Sequence, residues 1–134
     1  MTTSTAPKPY AMTNKAVASH YDDLDVFYRE IWGEHVHHGV WHTGRESDLE
    51  AAENLVRMVA ELGHIGPQME VCDIGCGYGA TARILAERYG ASVIGMTLSE
   101  AQLRYANDHN IVPGKTAYHL GDWYENGLAS ERFD

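Results

Sequence analysis

Apolar positions along the chain follow two regimes. As far as Gly63 they recur at helical spacing; beyond it, short apolar runs alternate with helical stretches. Val17, Tyr21, Leu24, Tyr28 and Ile31 are three and four residues apart, the stripe of one amphipathic helix that Gly33 ends. A loop dense in His, Gly and Trp follows from Glu34 to Glu46. Ser47 with Glu50 three residues later is a capping box, and Leu49, Ala52, Val56, Val59 and Leu62 form the face of a second helix, stopped by Gly63. Met69 to Ile74 is a short apolar run entering glycines, a buried strand. Ala80 to Tyr89 predicts a helix with Gly90 as its stop, and Ser92 to Met96 a second strand. Ser99 and Gln102 make another capping box, opening a helix to about Asn110. Pro113-Gly114 is a turn, and Thr116 to Leu120 a third strand. Strands alternating with helices imply βαβ units around a parallel sheet, an α/β fold.

The pattern divides the chain into a flexible leader (1–13), a helical segment (14–66) and an α/β segment (67–134). Three parallel strands are half of a doubly wound sheet. A fourth strand is expected to begin where the chain stops at Asp134, and without it an edge stays unpaired. The sequence therefore reads as the N-terminal part of a longer protein.

Length and charge narrow the function. The 134 residues suit one domain. With 10 basic against 19 acidic residues the net charge is −9, which disfavours nucleic-acid partners and gives no attraction to anionic membranes. No apolar run is long enough to span a bilayer. The Thr-, Ser- and Pro-rich start lacks the apolar core of a secretory signal, and the first arginine is Arg29, too late for a transit peptide. Cys72 and Cys76 suggest no disulfide framework and read as reduced thiols, so a cytoplasmic location is expected.

The chemistry centres on Asp73-Ile74-Gly75-Cys76-Gly77-Tyr78-Gly79. A strand entering closely spaced glycines and then a helix brings bare backbone, free N–H groups and a positive dipole end against a ligand. Gly75-x-Gly77-x-x-Ala80 satisfies the relaxed dinucleotide fingerprint. That reading requires an acidic residue ending the second strand, yet the sequence there is Gly95-Met96-Thr97-Leu98-Ser99. Asp73 with Gly75, Gly77 and Gly79 instead resembles the D-x-G-x-G-x-G motif of class I S-adenosylmethionine-dependent methyltransferases. The run Val93 to Gln102, V-I-G-M-T-L-S-E-A-Q, resembles the subgroup of tocopherol methyltransferases, small-molecule N- and O-methyltransferases and cyclopropane fatty acid synthases. Tyr21-Asp22, Ile31-Trp32-Gly33-Glu34-His35 and His38-Gly39-Val40-Trp41 resemble tocopherol and natural-product sugar methyltransferases.

The resemblance implies a Rossmann-like doubly wound sheet, S-adenosylmethionine as cofactor, and methyl transfer to N, O or C of a small-molecule acceptor. Cyclopropane-type methylene transfer to a lipid and a non-catalytic cofactor-binding role are the alternatives. It also implies roles. Gly75 and Gly77 would let the methionine end lie against the backbone, with Asp73 holding its ammonium directly or through water, and Gly79 would complete the cofactor-binding glycine loop. Thr97 and Leu98 would border ribose and adenine, and Gln102 would take the ribose hydroxyls. Asp122 would accept from the adenine amino group, with Trp123 packed on the ring. Gln102 could equally serve only the Ser99 cap, and Asp122 and Trp123 a helix cap and a core aromatic. His35, His37, His38 and His42 crowd one loop, but H-x-H-H-x-x-x-H lacks a metal-ligand pattern, so no metal is expected. The loop is expected to close over the cofactor, with Tyr21 and His38 as candidate catalytic residues.

Overall fold

A computed structural model describes residues 13–134; the expected leader lies outside these residues apart from Thr13. The chain runs α1 (Asn14–Asp23), α2 (Asp25–Trp32), α3 (Asp48–Leu62), β1 (Glu70–Ile74), α4 (Ala80–Tyr89), β2 (Ser92–Thr97), α5 (Glu100–His109) and β3 (Thr116–Leu120). A 3₁₀ turn, Trp123–Glu125, follows. The strands are parallel in the order β1-β2-β3, with Val71 opposite Val93 and Val93 opposite Thr116.

One boundary expectation is corrected. The stripe from Val17 to Ile31 belongs to two helices, because the helix breaks at Leu24, whose N–H still bonds the His20 carbonyl at φ −103°. The side chains flanking the break are tied to different elements. Asp22 accepts from Ser99 Oγ and the Ala101 N–H at the start of α5, whereas Asp25 accepts from the Tyr78 hydroxyl at 2.9 Å. The Ser47/Glu50 capping box is present as read.

The core lies where α3 and α4 cover the sheet: Val56, Ala60, Ile84, Leu85, Val93 and Tyr118 are buried together. Burying such side chains contributes roughly 1.5–3 kcal/mol each. The first residue of β1 is covered at its outer edge: the Glu70 carbonyl accepts from the Asp134 N–H, the Glu70 N–H donates to the Asp134 carboxylate at 2.8 Å, and the Glu70 carboxylate pairs with Arg132 at 3.0 Å. Both cysteines are free thiols. Among the described residues no helix is long and apolar enough to cross a membrane.

Candidate cofactor-binding site

The C-terminal ends of β1 and β2 open into a cavity of about 400 Å³, where a parallel sheet customarily holds its ligand. Asp73, Gly75 and Gly77 form its floor, Thr97, Leu98 and Gln102 one wall, and Tyr21 and His37 the side nearer the N-terminal helices. The Gly75 and Cys76 N–H groups bond the Met96 carbonyl at 2.8 and 2.9 Å, which fixes the loop to β2. Gly75 and Gly77 have φ of +80° and +54°, and a Cβ on either would meet nothing within 4 Å. The loop thus offers backbone to open space, as a close ligand requires.

Asp73 supplies the chemistry of the floor. Its Oδ2 is buried with no hydrogen-bond partner among the described residues. Burial pushes its carboxyl above the usual carboxylate range, against a weaker opposing influence of His37. An orphaned buried acceptor is costly unless a donor arrives, so this floor fits a ligand carrying a cationic N–H group. Cys76 beside it has its thiol pushed up to about 12 by burial and the Asp73 charge, so it stays a neutral packing group.

On the wall, Thr97 Oγ1 donates to Gln102 Oε1 at 2.7 Å, both residues being buried. Only half of the second capping box forms. Ser99 Oγ takes the Gln102 N–H, but the Gln102 side chain reaches Thr97 instead of the Ser99 backbone. With its carbonyl engaged, Gln102 has an amide N–H₂ that meets no acceptor among the described residues and can serve a ligand.

Several expected site residues sit elsewhere. Gly79 is not on the cavity wall: it is the left-handed N-cap of α4 and packs against the Tyr118 ring, which a Cβ there would approach to 2.7 Å. The His38 side chain is exposed and off the cavity wall; its carbonyl takes the His37 Nδ1–H at 2.8 Å. Asp122 and Trp123 also lie off the wall. Asp122 caps the 3₁₀ turn through the Tyr124 N–H, and its Oδ2 accepts from Asn14 at 2.6 Å.

The structure brings in residues that the sequence reading passed over: His37, Thr81 and Glu34 on the wall, and Asp22 behind it. The chain bends at His37, whose ring packs edge-on against that of His35 with nitrogens 3.1 Å apart, while His38 is exposed. Nothing in the sequence pointed to that pairing or to Asp22 as a partner of α5. Among the described residues no group of three His, Cys, Asp or Glu is placed to hold a metal ion.

Known proteins are similar to this chain. Residues 10–121 match the family described as mycolic acid cyclopropane synthetase. The chloroplastic tocopherol O-methyltransferase of Arabidopsis thaliana is 33% identical over 135 residues, covering 90% of this chain and 39% of its own. The chain thus spans well under half the length of that relative. The crystal structure of the [4+2]-cyclase SpnF aligns with a TM-score of 0.76 at 28% identity, over 82% of this chain and 43% of that one. Mycolic acid cyclopropane synthase CmaA1, crystallised with S-adenosylhomocysteine, aligns at 0.69 and 26% identity, over 88% of this chain and 42% of that one. The chain belongs to the mycolic acid cyclopropane synthetase family and carries the class I Rossmann-like methyltransferase fold.

Proposed function

We propose that this chain binds S-adenosylmethionine in the cavity and is the cofactor-binding part of a methyltransferase acting on a small molecule. The observation that carries this reading is the orphaned oxygen of Asp73 on a floor of open glycine backbone. The cofactor would supply an electrophilic methyl group on a sulfonium. Asp73 would hold its ammonium, Gly75 and Gly77 would admit its methionine end, and Thr97 and Leu98 would border ribose and adenine. Gln102 would donate its amide hydrogens to the ribose hydroxyls. Asp122 would serve the adenine amino group, with Trp123 on the ring, once Asn14 released it. Residues 14–66 would act as the lid, and the Tyr21 ring on the cavity wall suits a sulfonium cation. For a hydroxyl acceptor a base is needed, and His37 is the histidine on the wall.

Methylene transfer to a lipid alkene is the second reading, favoured by the matching family's own description. It uses the same cofactor site and differs in the acceptor.

The test is calorimetric titration of the folded chain with S-adenosylhomocysteine, NADH serving as control and circular dichroism reporting the fold. Saturable binding of the homocysteine compound alone is expected, weakened about tenfold in Gln102→Ala by loss of buried hydrogen bonds. Binding of NADH instead would overturn the proposal.

A further inference from the structure

Helices α3 and α5 begin with the same pattern, a serine cap and a long polar residue three places later, yet they close it differently. At α3 the capping box is complete. Ser47 Oγ accepts the Glu50 N–H at 3.3 Å, and the Glu50 carboxylate returns to the Ser47 N–H at 2.8 Å. At α5 Ser99 Oγ accepts the Gln102 N–H at 3.1 Å, but the Ser99 N–H goes to Thr97 Oγ1 at 3.2 Å. The Gln102 side chain turns to Thr97 on the cavity wall. What α5 has and α3 lacks, among the described residues, is a carboxylate supplied by another helix. Asp22, the last residue but one of α1, accepts the Ser99 hydroxyl at 2.5 Å and the Ala101 N–H at 3.0 Å, both on Oδ1. It satisfies one of the N–H groups that every helix start leaves over. Thr97 and Asp22 together complete the α5 cap without the Gln102 carboxamide.

We propose that Asp22 is a positioning residue for the cavity: by capping α5 from α1, it releases the Gln102 carboxamide from the cap and keeps it on the wall that receives the ligand. When α1 withdraws, Asp22 leaves with it, and Gln102 closes the box on Ser99 as Glu50 does on Ser47, retracting its amide. Docking of α1 and binding at the wall are thereby coupled, each favouring the other. This rests on the S-adenosylmethionine reading above, in which Gln102 serves the ribose hydroxyls. Asp22 does not line the cavity, so it acts through Ser99 and Gln102 and not on the ligand.

The experiment compares S-adenosylhomocysteine with its 2′,3′-dideoxyribose analogue, which offers Gln102 no hydroxyl, by calorimetry on the purified chain. Heteronuclear spectra of glutamine-labelled protein accompany it; the chain has two glutamines, so Gln68 is the reference for Gln102. Asp22→Ala is expected to weaken S-adenosylhomocysteine about fivefold, inside the about tenfold loss of Gln102→Ala, and to leave the analogue within about twofold. In the ligand-free protein it is expected to shift the Gln102 side-chain amide signals and leave those of Gln68 in place. Asp22→Asn keeps the one oxygen that both bonds use, and is expected to restore affinity and spectrum. In a Gln102→Ala background, Asp22→Ala adds less than about twofold. No residue of α1 is buried, so these variants keep the fold, which circular dichroism checks. Equal weakening of both ligands would show that Asp22 only docks α1, and an unmoved Gln102 signal that it does not hold that side chain; either overturns this inference alone. Failure of both ligands to bind the unmodified chain would overturn the cofactor reading and this one with it.

Discussion

The Tyr118 ring lies between β2 and the start of α4, where a Cβ on Gly79 or on Gly95 would come within 2.7 Å of it. Its hydroxyl lies 2.8 Å from the Asn110 carbonyl and 3.1 Å from that of Gly79, so the ring cannot slide away cheaply. Gly79→Ala combines this overlap with a left-handed backbone, and a loss of about 2–4 kcal/mol is expected in chemical denaturation. Gly77→Ala meets no neighbour, so it is expected to lose only about 1 kcal/mol from its positive φ while occupying the cradle and abolishing S-adenosylhomocysteine binding. Stability equally damaged in both would contradict this division. The sequence motif presents Gly75, Gly77 and Gly79 as equivalents, and spacing alone does not show that the third faces a core tyrosine. Gln102 is a similar case. The S-x-x-Q pattern correctly placed a helix start, but the competing bond from Thr97, five residues earlier, appears only when β2 delivers that hydroxyl.

Most elements were legible because their signals are local. Ser47 with Glu50 caps α3, Gly90 ends α4 in a left-handed conformation, and the run from Ser92 pairs as a central strand. The break at Leu24 was not legible, since the apolar stripe continues through it and the forces acting there come from distant partners. Asp25 is the clearest of these. Burial opposes its charge, but bonds from Arg29 and Tyr78 outweigh that and hold its carboxyl below the usual value of 3.8. A group depressed in the folded state stabilises fully above the unfolded value and loses that contribution as pH falls through the folded one. Asp25→Ala is therefore expected to cost about 1–2 kcal/mol at neutral pH. It is also expected to flatten the acid side of the stability curve below about pH 4. Thermal unfolding of both proteins from pH 7 downward checks it; a parallel displacement at every pH would show that Asp25 acts by packing alone.

At the scale of the molecule, the N-terminal helices and the α/β layer are joined by different forces. No residue of α1 or α2 is buried, whereas α4 buries Ala80, Ala82, Ile84, Leu85 and Ala86. Val26, Phe27, Ile31 and Trp32 of α2 are each more than half exposed. The helices are held mainly by polar ties: Asp22 to the start of α5, Asp25 to Tyr78, and Glu34 to Arg83 and Tyr105. Few buried apolar contacts and many solvated ones define a region that opens below the global unfolding free energy. Amide hydrogens of α1 and α2 are expected to exchange with solvent well before those of β2 and α4. Because Tyr21 forms part of the cavity wall, a ligand bound there contacts both layers and must stabilise their association. Ligand at a hundredfold over its dissociation constant adds about 2.7 kcal/mol to the bound state. Exchange in α1 is therefore expected to slow on adding S-adenosylhomocysteine, and Asp22→Ala to restore fast exchange in α1 while leaving β2 protected. Uniform slowing along the whole chain would mean that the two layers open as one unit, and that these carboxylates do not set the opening of the site.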